Sequence, residues 1–382
     1  MEGNILGLKD LFASGQATPF DQVNTAAEGL LGYAFVGIEG VASFEFLLSQ
    51  GADPFSWGNN VSNTLGYLVW SGSCGIEGQG HGRSLLPSLR IVLRHMQELV
   101  YDTEEETLDG VLNEFHGTAE EFLFLQREIC PSFFLMSKQT RIAVAIGAAS
   151  GHWDASHMPQ TIRTILGPGT LEVDDLQFGE CLVHDGYYRT LVHCVARKIG
   201  QNLALSQHME YTLKFHGANS HARQQAYDLQ KSHYQAWNKL FLEFLYIGVD
   251  VHHLLDRRTP FLSFLEGYIT WLDEKKYLVM SWNSGFRVWL KELQAAGVNL
   301  QQFGQTEERI WKKELGELER EYFASKPTWG GPWSRPLIGF SYGSSPNNWV
   351  LWLSEGCDSF ALDFWTLIER QIEIMPGGWS VD

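Results

Sequence analysis

The 382-residue sequence is poor in cysteine, and none of its cysteines forms a C-x-x-C pair. The five cysteines are widely separated: Cys74, Cys130, Cys181, Cys194 and Cys357. A disulfide framework or a structural zinc site needs cysteines at closer, patterned spacings, so neither is expected. We therefore expect a protein of a reducing, intracellular compartment, cytoplasmic or nuclear, whose cysteines serve as small buried apolar groups.

Long apolar runs are also missing. No stretch reaches about 18 uninterrupted apolar residues, so no membrane-spanning helix is predicted. Residues 1–10 lack the basic start and apolar segment of a secretory signal. The sequence therefore predicts no membrane partner.

Basic residues are scarce. Lysine and arginine total 28 against 45 aspartate and glutamate residues, which gives a net charge of -17. An acidic surface repels phosphate backbones, so a nucleic-acid partner is not expected. Hydrophobic residues make up 44% of the chain, which is enough to form a packed core.

What the sequence does contain is a recurring unit, an apolar segment at helical spacing that ends in glycine. The units end at Gly15, Gly51, Gly248, Gly297 and, more faintly, Gly356. Glycine just after a helix adopts the left-handed conformation at little steric cost, so each unit predicts a short helix followed by a tight turn. One such helix cannot bury its apolar face alone, and stacking against neighbours solves this.

These units resemble ankyrin repeats. The clearest, F-L-L-S-Q-G-A-D-P at residues 46–54, is similar to the second helix and loop of that family. Residues 185–196 resemble its D-G-x-T-P-L-H-x-A-A signature, with an insertion and with Leu191 replacing the proline. The stretch R-T-P-F-L at residues 258–262 follows Gly248 at roughly the family distance. The whole pattern is similar to ankyrin-like regions of filamentous-fungal proteins.

The resemblance implies an all-α, ankyrin-like helical solenoid of helix pairs with short loops, irregular in its middle and C-terminal parts. It divides the chain into N-terminal repeats at residues 1–72 and a larger helical array at residues 83–382. It also implies structural roles for four residues around the turns: Thr190, His193, Thr259 and Pro260. Its functional implication is a protein–protein interaction module without catalysis or cofactor.

Helical spacing of apolar residues predicts further helices outside the clear units. These cover residues 86–101, 120–130, 138–149 and 307–323, with longer helices between 200 and 248. A last helix is predicted at residues 349–353.

One motif points to a different function. Gly339-Phe340-Ser341-Tyr342-Gly343 fits G-x-S-x-G, the spacing of a hydrolase nucleophile elbow. That elbow needs a strand before it, a helix after it and a histidine later in the chain, yet the last histidine is His253. We therefore interpret Ser341 as part of a glycine/serine loop, with a serine hydrolase as the alternative function.

Other polar clusters predict no metal and no cofactor. The glycine-rich residues 75–84 lack the P-loop pattern, and the histidines never form H-E-x-x-H. The acidic residues 104–109 lack EF-hand spacing and are interpreted as a solvated face.

The remaining candidates are loop tips of the repeat units, where repeat proteins bind partners. They are Trp57, Asn59, Asn60, His252 and His253. An aromatic residue at a tip, such as Trp57, suits an interface anchor, although it could equally pack on a neighbouring unit. A third possible function is that of a structural spacer within a larger protein.

Overall fold

In a computed structural model, the chain is mostly helical, which confirms the all-α class. The structure describes residues 5–21, 30–31, 40–52, 86–95, 112, 115–151, 156–167, 169, 171–178, 181–182, 188–215, 221–256, 258–272, 282–315 and 337–353. The described helices, in chain order, are α1 Ile5–Ala13, α2 Gly40–Ser49, α3 Leu86–His95, α4 Ala119–Ile129, α5 Lys138–Ser150, α6 Met158–Leu166, α7 Val173–Phe178, α8 Leu191–Phe215, α9 His221–Ile247, α10 Pro260–Leu272, α11 Trp282–Ala295 and α12 Leu300–Ile310.

Two short antiparallel hairpins accompany these helices. Strands β1 (Cys181–Leu182) and β2 (Tyr188–Arg189) form the first, and β3 (Leu337–Ser341) and β4 (Val350–Leu353) form the second. The helix predicted at residues 349–353 is therefore wrong, because these residues form β4. A short apolar run such as V-L-W-L fits a strand or a helix equally well by periodicity, and pairing with β3 decides the outcome.

Local capping sets where several helices begin. The helices predicted at 120–130 and 138–149 are confirmed as α4 and α5, and Thr118 forms a capping box with Glu121 ahead of α4. The helix predicted from residue 307 instead begins at Leu300. The Asn299 side chain accepts the Gln302 backbone N–H at 3.1 Å there, which fixes the start.

Four of the five predicted glycine stops end helices. Their φ angles are positive, from 71° to 100°, at Gly15, Gly51, Gly248 and Gly297. At α11, the Gly297 N–H bonds the Gln294 carbonyl and the Val298 N–H bonds the Leu293 carbonyl, both at 3.0 Å. This Schellman pattern recurs at the other three stops and satisfies the last helical carbonyls. Gly356 lies outside the described residues.

The chain divides into two compact units. Unit 1 comprises Met1–Val195 and Gln235–Asp250, and unit 2 comprises Ala196–Tyr234 and Val251–Asp382. The predicted division between residues 72 and 83 falls outside the described residues and stays a prediction.

In unit 1, several described helices pack on the next helix that the structure describes. Helix α1 packs on α2, α2 on α3 and α3 on α4, while α6 packs on both α4 and α5. Buried Phe115, Phe122 and Phe133 meet edge to face at 5.4–5.5 Å between ring centroids. Arg163 donates two hydrogen bonds to the Glu243 carboxylate, at 2.7 and 2.8 Å, which adds a bidentate pair to this packing.

Unit 2 has an aromatic core. The Phe264 and Trp289 rings stack at 4.0 Å between α10 and α11, and Phe261 contacts rings from α11, α12 and the β3–β4 hairpin. From that hairpin, Phe340 and Trp349 are both buried in the same cluster. Burying a Phe side chain contributes about 1.5–3 kcal/mol, so this cluster is a main source of stability in the unit.

Helices α8 and α10 approach closely because glycines face each other's backbone. A Cβ on Gly200 would lie 2.1 Å from the Phe264 carbonyl oxygen, and one on Gly267 would lie 2.1 Å from the Arg197 carbonyl oxygen. No side chain fits at either position. The close approach also lets the buried Tyr268 hydroxyl donate to Gln207 Oε1 at 2.6 Å.

Candidate interaction site

The loop between α9 and α10, residues 251–258, contains two of the predicted partner-binding residues. It closes as a tight hairpin in which the backbones of Leu255 and Arg258 exchange hydrogen bonds of 3.0 and 2.9 Å. Asp256, within this turn, has φ 47°, the only positive φ outside glycine in the described residues. Aspartate tolerates this left-handed conformation better than most residues, so the sequence suits the turn.

A buried carboxylate anchors the start of this loop. Glu307 of α12 has a side chain only 1% exposed, and it accepts hydrogen bonds from His252 Nδ1 at 2.5 Å and from the Thr259 hydroxyl at 2.7 Å. The His252 ring also lies against Phe303, 5.0 Å between centroids. Since a buried carboxylate without partners is costly, these contacts hold the loop firmly on α12.

A second ionic contact anchors the end of the loop. Glu266 of α10 lies between two arginines, with Arg258 Nε and Arg197 Nε each 3.4 Å from one of its carboxylate oxygens. The three side chains are between 13% and 24% exposed, so solvent screens this network less than a surface pair. The α9–α10 loop is thus held at both ends by polar contacts within unit 2.

The exposed part of the loop is apolar and acidic. Leu254 is 38% exposed and Asp256 is exposed, while His252 and His253 are half-buried. His252 is used inside the unit, and the role of either histidine in partner binding stays a prediction. Trp57, Asn59 and Asn60 lie outside the described residues.

The residues with implied structural roles lie at two helix starts. Pro260 is the first residue of α10, and the Thr259 hydroxyl accepts the Leu262 backbone N–H at 3.2 Å. At the start of α8, the Thr190 hydroxyl and His193 Nδ1 are 2.8 Å apart, and both residues are buried. Each threonine therefore stabilises the turn that leads into its helix.

Ser341 is the last residue of strand β3, so its interpretation as part of a glycine/serine loop is wrong, and the backbone after it turns as a hairpin. Residues 342–349 turn through a short 3₁₀ segment, Pro346–Asn348, and β4 then pairs back onto β3 with Ser341 opposite Val350. A nucleophile elbow passes from a strand directly into a helix, so this backbone differs from an elbow. In the part of the chain that the structure describes, the Ser341 hydroxyl makes no hydrogen bond to a histidine.

The other members of G-F-S-Y-G are explained by packing. Phe340 stacks on Trp349 at 5.9 Å, and Tyr342 lies on Gly304, where a Cβ would approach its ring to 2.3 Å. The Tyr342 hydroxyl donates to Glu308 at 2.7 Å. The carbonyl of the final glycine, Gly343, accepts the Trp349 indole N–H at 3.0 Å.

Metal binding and membrane spanning are two further functions on which the described residues bear. Within the described ranges, no group of three or more histidine, cysteine, aspartate or glutamate side chains could hold a metal ion. Of the helices that the structure describes, none combines the length and apolarity needed to cross a membrane.

Comparisons with known proteins return nothing: no family model, no curated protein and no solved structure matches this chain.

Sequence reasoning missed the residues that anchor the candidate loop. Glu307 lies on α12, far along the chain from His252, and although Glu266 lies on the helix that follows the loop, no motif in the sequence links it to Arg258 or Arg197. The only signal was a T-P pair at a helix start, which marks Thr259 as a cap but does not indicate its buried acceptor.

Proposed function

We propose that this chain is a protein–protein interaction module, built as an ankyrin-like solenoid of stacked helical units, which acts inside the cell without catalysis or cofactor. The packing of α1 on α2, α2 on α3 and α3 on α4 supports stacked units. The glycine-terminated helices and the threonine-capped helix starts support the ankyrin-like reading.

The observation that carries the proposal is the pre-organised α9–α10 loop. Its base is fixed by Glu307 and Glu266, while Leu254 and Asp256 remain exposed. A loop ordered before binding loses little conformational entropy on binding, which favours affinity. The partner is another protein, and neither nucleic acid nor membrane is proposed.

The test is a comparative capture with the full chain. We expect a specific protein to bind the parent chain and to be lost with Leu254→Asp, which charges the loop without touching its anchors. Leu135→Asp is the matched control, because Leu135 is 88% exposed in unit 1. Equal loss with both variants, or no loss with either, contradicts a role for the loop.

The two alternative functions give different outcomes in simple assays. A structural spacer captures no protein specifically with either the parent or the control. A serine hydrolase is labelled by a fluorophosphonate probe, and the label disappears in Ser341→Ala. We expect no labelling of the parent, since β3 leads into a hairpin rather than into a helix.

A further inference from the structure

Among the residues that the structure describes, the β3–β4 hairpin has one edge bonded to α11 and one edge with no hydrogen-bonded neighbour. Leu351 N–H donates to the Asn283 side chain at 2.9 Å, and the Trp349 carbonyl accepts from Arg287 at 3.2 Å. Both groups therefore point from β4 toward α11. In an antiparallel pair, the backbone N–H and carbonyl groups of successive residues point alternately toward and away from the partner strand. The backbone groups of Val350 and Trp352 therefore point toward β3.

The same alternation shows which way the backbone groups of each β3 residue point. Phe340 lies opposite Leu351 in the register, while Gly339 and Ser341 lie opposite Trp352 and Val350. The backbone N–H and carbonyl of Phe340 hence point away from β4, along the outer edge of β3. No other described residue hydrogen-bonds this edge. An open strand edge is a template for pairing with another extended chain.

An exposed indole lies over the strand that forms this edge. Trp352 is 53% exposed, and its Cε3 atom is 3.6 Å from the position a Cβ would take on Gly339. Because Gly339 has no side chain, the indole lies over β3 at this residue. A side chain on a strand added next to β3 would meet the indole face there.

We propose that the outer edge of β3 binds an extended, basic segment of a partner protein as an added strand. Backbone pairing supplies the attachment, and a lysine or arginine of the segment lies on Trp352 as a cation–π contact. The net charge of -17 favours a basic segment and repels a second copy of this acidic chain.

This inference adds a class of partner, a basic extended segment, to the proposed interaction function. It rests on that proposed function only because both require a protein partner. The proposal for the α9–α10 loop and the proposal for the β3 edge can be disproved independently of each other. Leu254→Asp tests the α9–α10 loop, whereas variants of Trp352 test the hairpin.

The experiment uses the full chain and three synthetic probes. The first is a short peptide of alternating lysine and valine, the second replaces lysine with glutamate, and the third is the lysine peptide N-methylated at alternate residues. We expect binding of the first alone. On binding, the Phe340 amide becomes protected from hydrogen exchange, whereas in the free protein it exchanges at least about tenfold faster than the amides of Gly339 and Ser341.

Substitutions locate the site. Trp352→Ala is expected to weaken binding of the lysine peptide roughly 2- to 30-fold, the range of a cation–π contact. Trp352→Lys, a second variant at an exposed position, should weaken it at least as much. The control Leu135→Ala removes an exposed apolar side chain from unit 1 and should leave binding unchanged.

Several results overturn the proposal. Equal binding of the N-methylated peptide shows that charge alone attracts the probe, and equal binding of the glutamate peptide excludes a basic partner. A Phe340 amide already protected in the free protein shows that the edge is occupied. Concentration-dependent dimers that disappear in both Trp352 variants show that the occupant is a second copy.

Discussion

The buried carboxylate of Glu307 anchors the start of the α9–α10 loop. Two groups donate to it, Thr259 from a fully buried position and His252 from the loop itself. Removing the acceptor leaves both donors without their charged partner, and a group left unpaired on burial costs more than the bond it loses.

We predict that Glu307→Ala lowers the free energy of unfolding by about 3 kcal/mol, which is typical when one partner of a buried polar pair is removed. Urea denaturation of the parent and the variant measures this loss. Glu128→Ala is the control, since the Glu128–Arg127 pair is 3.9 Å apart and exposed, and should cost under about 1 kcal/mol. Similar losses in the two variants would contradict the special role of Glu307.

Glu308, the next residue, links α12 to the β3–β4 hairpin and responds to pH. Hydrogen bonds from Lys312 and Tyr342 hold the pKa of the Glu308 carboxyl below its usual value. A carboxyl with a lowered pKa in the folded state stabilises the fold above its unfolded-state pKa. That contribution disappears as the pH falls through the folded-state pKa.

We therefore predict that Tyr342→Phe raises the pKa of Glu308, because one of its donors is gone while the ring is retained. NMR titration of the side-chain carboxyl gives the pKa, and urea denaturation at several pH values gives the stability. The stability difference between parent and variant should shrink as the solution becomes acidic. A difference that stays constant across the acidic range would show that the hydroxyl acts independently of Glu308 ionisation.

At the scale of the element, glycine has two opposite uses in this chain. At the ends of α1, α2, α9 and α11 it permits a left-handed turn, whereas at Gly200 and Gly267 it permits two helices to touch. Alanine normally improves a helix interior by about 1 kcal/mol over glycine, so a loss at a helical glycine indicates that the space is needed.

We predict that Gly200→Ala and Gly267→Ala each destabilise the protein by about 1–3 kcal/mol, the cost of overpacking. The obstacle at both positions is backbone carbonyl oxygen, which cannot move aside as a side chain can. Gly285→Ala is the comparison, since the nearest atoms there belong to the Gln207 side-chain amide, which can rotate away at the cost of its hydrogen bond with Tyr268. Thermal denaturation ranks the three, and a stabilised Gly200→Ala would show that α8 and α10 are farther apart.

At the glycines that end helices, we expect alanine and asparagine to differ in how much they destabilise the protein. Around Gly297 nothing lies within 4 Å of an added Cβ, so the effect of substitution there comes from the backbone alone. We expect Gly297→Ala to cost about 1 kcal/mol and Gly297→Asn to cost less, because asparagine tolerates positive φ better. Chemical denaturation of the two variants measures this, and equal costs would place the residue outside the left-handed region.

At the scale of the whole molecule, net charge governs which partners can approach. A charge of -17 accelerates association with basic proteins, and salt screens that attraction over a Debye length of about 10 Å at 0.1 M. We predict that capture of the partner, and binding of the lysine–valine peptide, weaken steadily as salt increases. Binding that is independent of salt would indicate an interface dominated by apolar contacts.

The sequence by itself determined the features that depend on a few neighbouring residues. The glycine stops at 15, 51, 248 and 297 and the helices α4 and α5 follow from local capping and turn geometry, and the resemblance to ankyrin repeats marked the threonines ahead of α8 and α10. Composition gave the net charge, cysteine spacing excluded C-x-x-C pairs, and the resemblance to ankyrin repeats implied the all-α class.

Only the tertiary structure decided what depends on distant residues. It made residues 350–353 a strand, because β3 supplied a pairing partner that periodicity cannot reveal. It turned G-F-S-Y-G into a packing motif, since Gly304, Glu308 and Trp349 approach it from other parts of unit 2. It also brought Glu307 to His252 and, among the described residues, left the outer edge of β3 without a hydrogen-bonded neighbour, because side-chain partners and strand edges are defined only once separate elements meet.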